Sequence, residues 1–553
     1  MRRSIWVTVV LLCLAPAIGA GRTDSRVIHF PPDRSIGMLY VQDWDSLETS
    51  SYSDWEPLCE AAGDVTVPAG KALRLDWSKE AGDDLSALSV LASDDLQEFG
   101  LADIQIADDQ LRHIVHLTGL QELDLSETNI LGTGLKYLAK LDSLKKLWLA
   151  NTHVGDRELA YLLELPCLEG LGLRDTPTTD AGMVVVGKIT SLEVLSLSAG
   201  VGDEGLEQLK GLKKLRWLST GDRGVTDKGL EYLAGLTNLE YLGLEGAQVS
   251  DAGLVYLRNM SKLKKLRLYG TPVTEKGFVH LESLKNLEEL YVLYGVTETG
   301  LTTLSKLASL KNITVDGDSL GKEGLKLLSK FKSLEHVYID NTEKMDLIVK
   351  ELVSLRGLKE LTIGTGLTDE GIVGLRNMHS LQVLTIGPSQ ITGKGISVLA
   401  QLPSLHTLML HKATLASEDD WAALGKLSAL QTLSLRYLRS EVTDAHIAHL
   451  TGLQSLKELS IDAVIFKDRK AFISMDVTDI GLGYISKLKS LERLSLRGAK
   501  ITDEGLQQLS ELRGLKWISL QGCNVNEQSL QRLKKKLPAL RWFLYNFPDS
   551  QGD

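Results

Sequence analysis

Aromatic and cationic side chains recur in this chain at steps of 24 residues or close to it, and they form its best-equipped cluster for recognition. Trp217, Tyr241 and Lys265 follow one another at that spacing, and so do Arg267 and Tyr291; Tyr269, His336 and Tyr338 extend the series. Exposed aromatics mixed with arginine supply large rigid contact area together with charge, which is the chemistry of binding hot spots. Packing of the same rings over neighbouring strands is the plainer account. A second candidate is an apolar and basic interruption of the spacing at roughly 464 to 476, with Phe466, Arg469 and Phe472 in it. Such an insertion either projects to bind or folds back over an edge.

Signs of catalysis are missing. His113 with His116 and His446 with His449 stand at helical i, i+3 spacing. Zinc needs three or four ligands, and no further histidine, cysteine or carboxylate joins them in a recognisable spacing, so they read as solvent-facing helix residues. Gly321-Lys322 and Gly393-Lys394-Gly395 lack the rest of a phosphate loop, and neither a Gly-x-Ser-x-Gly nor a cysteine with a positioned histidine occurs. The expectation is a non-enzyme with no cofactor and no metal.

The elements that position these residues follow from the same period. Copies of about 24 residues run through the sequence, clearest at 120–143, 239–262, 263–286 and 491–514. Apolar residues fall at positions 1, 4, 6, 11, 16, 19 and 22 of each copy. The 4, 6 alternation predicts a short strand and the 16, 19, 22 spacing a helix. Eighteen such units start at Leu96, 120, 144, 168, 192, 215, 239, 263, 287, 310, 334, 358, 381, 405, 430, 456, 491 and 515, with a cap strand before (73–77) and another after (540–543).

Side chains at positions 3, 5 and 7 point away from the core. Trp217, Tyr241 and Lys265 therefore fall in one row across the strands, with Arg267 and Tyr291 in the next, while Trp148 lies apart. Thr-Asp pairs such as Thr226-Asp227 and Thr502-Asp503 stand where helices begin and offer oxygens to the free amides of the first turn. A glycine recurs just before the first helical leucine, as at Gly205, Gly229 and Gly505, and implies close backbone approach there.

This pattern resembles the leucine-rich repeat family, whose general form is L-x-x-L-x-L-x-x-N/C-x-L. The match covers 73 to about 545 and departs at the ninth position, which here is often Thr (Thr128, Thr152, Thr176, Thr271, Thr342). Its style is most similar to that of large secreted bacterial members. The resemblance implies an α/β solenoid, a horseshoe with a parallel concave sheet, convex helices and a binding surface on the concave side.

Composition sets the limits. A chain of 553 residues exceeds what one globular core supports. Met1-Arg2-Arg3, an apolar run from Ile5 to Leu14 and small residues up to Ala20 read as a secretory signal, cut after Ala17 or Ala20. Its removal takes the formal charge from −11 to −13 by loss of Arg2 and Arg3. An acidic chain with scattered bases argues against nucleic acid as partner. Cys59, Cys167 and Cys523 are expected as buried small apolar residues. The predicted organisation is a signal at 1–20, a small β segment at 21–72, the solenoid at 73–547 and a tail at 548–553. The reading is a secreted or periplasmic, monomeric protein without a membrane span, holding a protein or glycan partner; the alternative is an envelope scaffold with no tight ligand.

Overall fold

A computed structural model describes residues 24–47, 54–220, 224–292, 295–339, 342–467, 470–473, 475–538 and 540–543. The proposed signal at 1–20 and the tail at 548–553 lie outside the described residues. The chain forms two compact units, Met1–Leu284 and Lys285–Asp553.

In the first unit the strands Lys71–Trp77, Glu98–Gly100, Glu122–Asp124, Lys146–Trp148, Gly170–Gly172, Val194–Ser196, Trp217–Ser219, Tyr241–Gly243 and Lys265–Arg267 pair in parallel in chain order. Strand Gly37–Asp43 lies antiparallel on Lys71–Trp77, and Glu56–Glu60 lies antiparallel on Gly37–Asp43. The first repeat strand therefore has no open edge. Glu56–Glu60 was not anticipated from the sequence. The second unit repeats the parallel ladder from Asn312–Val315 through His336–Ile339, Glu360–Ile363, Val383–Ile386, Thr407–His411, Thr432–Leu438, Glu458–Lys467, Arg493–Arg497 and Trp517–Ser519 to Arg541–Phe543.

The leucines explain this order. All eighteen position-1 leucines are buried, from Leu96 at 0% exposure to Leu405 at 3%. No single unit has a partner for its apolar face, so each buries it against its neighbours. The expected helix is an α-helix in Asp227–Leu233 and throughout most of the second unit, but Thr133–Lys140, Glu158–Glu164, Gly253–Asn259 and Glu275–Leu281 are 3₁₀ turns. Segments of seven or eight residues cannot repay α-helix nucleation alone, so packing decides which turn forms.

Two further corrections concern polar residues. Cys523 is buried, Cys167 is intermediate, and Cys59 is exposed because it sits on the outermost antiparallel strand. All four histidines of the i, i+3 pairs are half-buried, since neighbouring repeats crowd the helical side. The interruption at 464–476 is not a loose loop. Glu458–Lys467 runs on past the repeat strand and turns back through Lys470–Ile473 as an antiparallel hairpin. Arg469 and the side chains of Phe466 and Phe472 lie outside the described residues.

The positions that cement neighbours are polar. Thr226 caps its own helix by accepting from the Lys228 amide at 3.2 Å, as expected. The aspartates do more than was expected, because each reaches into the following repeat. Asp180 accepts from the amides of Gly202 and Gly205 at 2.7 and 2.9 Å. A methyl group on Gly205 would lie 2.5 Å from that same carboxylate, which is the close approach its glycine requires. At the ninth position Thr128, Thr152, Thr176 and Thr271 each donate to the carbonyl three residues back, at 2.6 to 2.7 Å.

Candidate functional site

In the first unit, Trp217, Tyr241 and Lys265 are direct partners on three successive strands. Strand spacing of ~4.8 Å brings the two rings together face to face. Their centroids are 4.5 Å apart with planes inclined by 11°. The Arg267 guanidinium stands 5.9 Å from the Tyr241 centroid, within cation–π range, and pairs with Glu245 at 3.3 Å. Burial raises the Tyr241 phenol above its ordinary pKa, so it stays a hydrogen-bond donor at neutral pH. Tyr269 follows the strand and is 58% exposed.

Trp217, Tyr241, Lys265 and Arg267 wall a cavity of about 490 Å³. Its far rim consists of Glu193, Arg216, Glu240 and Lys264, all at position 2 of their units. Arg216 donates to Glu240 at 2.8 Å, Lys264 donates to the same carboxylate at 2.7 Å, and Arg216 also reaches Glu193 at 3.7 Å. Hydrogen bonds from Lys264 and Arg216 hold the Glu240 carboxyl below its usual pKa. This charged column was missed because only positions 3, 5 and 7 were taken as facing the site. It was nevertheless legible, as opposite charges at one position of adjacent units.

A second cavity of about 460 Å³ adjoins the first and shares Val194 and Trp217 with it. Its other wall is Trp148, which therefore belongs to the site and does not lie apart. Trp148 Nε1 donates to Glu122 at 2.6 Å, and Lys146 pairs with Glu122 at 3.0 Å. The indole lies over Gly172, where a Cβ would come within 2.7 Å of it. The absent side chain is what lets the ring lie flat. Ala150, Gly172 and Ser196 also line the space between the two tryptophans.

Tyr291, His336 and Tyr338 belong to the second unit, where they line a cavity of about 320 Å³ with Lys311 and Glu360. His336 Nδ1 lies 2.8 Å from Glu360, its direct partner on the next strand, and the Tyr291 hydroxyl donates to Glu289 at 2.9 Å. Tyr338 is 42% exposed. The aromatic and basic residues are thus found in two sets, one in each unit. Among the described residues no group of three or more His, Cys, Asp or Glu is placed to hold a metal ion.

Residues 487–510 match the model of a leucine-rich repeat. That stretch is 24 residues long, one period of the ladder. The chain has the fold of leucine-rich repeats. No curated protein matches it. An internalin from Listeria monocytogenes is similar in structure over 63% of this chain and 89% of its own, at 19% identity and TM-score 0.35. A leucine-rich repeat protein of Leptospira interrogans is similar over 82% and 96%, at 17% identity and TM-score 0.31. For the TLR13 chain of a TLR13–ssRNA13 complex the values are 81% and 85%, 15% and 0.39. No described helix is long and apolar enough to cross a membrane.

Proposed function

We propose that this leucine-rich repeat protein is an extracytoplasmic recognition module, without catalytic chemistry of its own, that holds a protein or glycan partner on the open face of its strands. The observation that carries the reading is the pair of adjoining cavities divided by Trp217, with Trp148 on one side and the Trp217–Tyr241 stack on the other. Cross-strand packing accounts for the contact between the two rings. It does not account for the small residues beside Trp148, nor for Arg267 and Lys265 turned outward next to the stack. Aromatic walls around partly desolvated space, rimmed by paired charges, suit an anchor residue of a partner and a polar border around it.

The location rests on the residues of the N-terminal segment, whose charge, apolar run and small residues fit an export signal. The Trp148→Ala, Trp217→Ala double variant tests the reading. It is expected to keep its circular dichroism and unfolding midpoint within a few degrees, and to lose more than about tenfold in affinity for a partner captured by the wild type from its native envelope. Undiminished binding by the folded variant would overturn the site.

A further inference from the structure

The C-terminal part of the second unit carries a different row of exposed side chains, remote in sequence from the cavities described above. Arg493, Trp517 and Arg541 are direct partners on three successive parallel strands. All three are exposed, with Trp517 at 37%. On the buried sides of these strands Leu494 and Ile518 point into the core, so the three polar or aromatic side chains share the open face. Arg493 and Arg541 make no ion pair among the described residues. Of the nearby carboxylates, Glu492 is held by Lys516 at 2.9 Å and also feels the Arg493 charge, and Glu458 is the direct partner of Arg493 on the next strand without forming a bridge. Two guanidiniums without an ion pair thus flank one indole, about 10 Å apart by strand spacing, in a chain whose net charge is −11.

Beside this row runs a second one of small hydroxyls. Ser434, Ser460, Ser495 and Ser519 are in register on four successive strands. Ser434 is 5% exposed, and its Oγ is buried with no hydrogen-bond partner. Beyond the serines, Asp462 and Arg497 pair at 3.3 Å and neutralise each other. The surface is therefore a row of strand side chains running Glu458, Arg493, Trp517 and Arg541, beside serines in register, with its excess positive charge at the Arg493–Arg541 end.

We propose that this strip binds an extended acidic peptide segment of a partner protein, with two carboxylates received by Arg493 and Arg541 and an apolar side chain laid on Trp517 between them. Guanidinium forks match carboxylates bidentately, and the half-buried hydroxyls of Ser460 and Ser495 can both donate to and accept from a peptide backbone. The alternation in the row favours a peptide over other anions. Single-stranded nucleic acid or a uronate polysaccharide presents the same unit at every step and calls for repeated stacking surfaces. Here one indole stands between two cations, which matches a heteropolymer reading acid, apolar, acid. This proposal does not depend on the cavities of the first unit.

Panning a display library of random dodecapeptides on the full chain tests it, with parallel titrations of polygalacturonate and oligo-dT. Wild-type protein is expected to enrich peptides with acids flanking an apolar residue. Their affinity should fall at least about tenfold in Arg493→Glu, Arg541→Glu protein and markedly in Trp517→Ala, and should weaken with added salt. The Trp148→Ala, Trp217→Ala variant should bind them unchanged, which separates this site from the one above. Since all three substituted residues are exposed, unaltered circular dichroism is the control for folding. Enrichment without acids, equal binding by the charge-reversed protein, or binding of the polysaccharide or oligonucleotide alone would each overturn the proposal.

Discussion

The carboxylate of Asp203 accepts the amide of Thr226 at 2.8 Å and its hydroxyl at 2.6 Å, one repeat further along the chain. The same arrangement joins Asp227 to Ser250, Asp251 to Thr274, Asp369 to Thr392 and Asp479 to Thr502. Leucines make neighbouring repeats adhere. The aspartates fix their register, because a hydrogen bond is directional and burial of apolar area is not.

Asp203→Ala is therefore expected to cost about 2 to 3 kcal/mol, as it leaves the Thr226 amide and hydroxyl without their charged acceptor. Gly229→Ala should destabilise by a similar ~1 to 3 kcal/mol, since its new methyl would lie 2.5 Å from Asp203 Oδ1. Amide hydrogen exchange checks both. Protection should fall first around residues 226–233, and a loss spread evenly over the first unit would contradict a local tie.

Glu98 titrates far from its ordinary range. Burial raises its pKa from 4.5 to about 7, with the Glu122 charge adding to the rise, against the opposing pull of Arg74 at 2.7 Å. A raised folded-state pKa means that the native state binds the proton more tightly. The associated stability is full below about pH 4.5 and is lost as pH climbs through about 7. Glu98→Gln should remove this slope and stabilise the protein above pH 7 by at most ~3 kcal/mol. Urea unfolding at pH 5 and pH 8 decides it, and identical slopes for wild type and variant would refute the assignment.

His446 has the opposite sign. Its ring lies flat on Trp421 at 5.0 Å and 5°, and its Nδ1 accepts from the Thr443 amide at 3.2 Å. Burial lowers its pKa, outweighing the nearby Glu418, Glu441 and Asp420. Protonation would abolish the acceptor, so this contribution is present above about pH 6.5 and is lost on acidification. His446→Asn keeps an acceptor and should flatten the acid limb of the second unit's stability. An unchanged limb would mean that the cap carries no linkage.

The two extremes of thiol environment give a chemical check. Cys523 is 6% exposed and its pKa is pushed up to about 11 by burial, whereas Cys59 is exposed. Alkylation of native protein at pH 8, read by peptide mass, should modify Cys59 long before Cys523, and the difference should vanish in urea. Equal native rates would contradict the packing of the last repeats.

The period was open to reading from residues alone because burial of leucine is a local demand repeated at every unit. Leu96 to Leu515 had to find partners outside their own unit, and only stacking provides them. The row of Trp217, Tyr241 and Lys265 was legible for the same reason, since equal positions become strand neighbours. Tertiary structure alone decided the rest. It laid Trp148 across the vacancy at Gly172 and against the space beside Trp217, and turned the interruption near 464 into a hairpin. It also aimed the aspartates at the cap residues and amides of the next repeat and left Glu98 protonatable near neutrality. Those outcomes depend on side-chain direction and local dielectric across unit boundaries, which a spacing along one chain does not encode. A repeat pattern specifies what must be hidden, and the packed neighbour specifies what the remaining side chains touch.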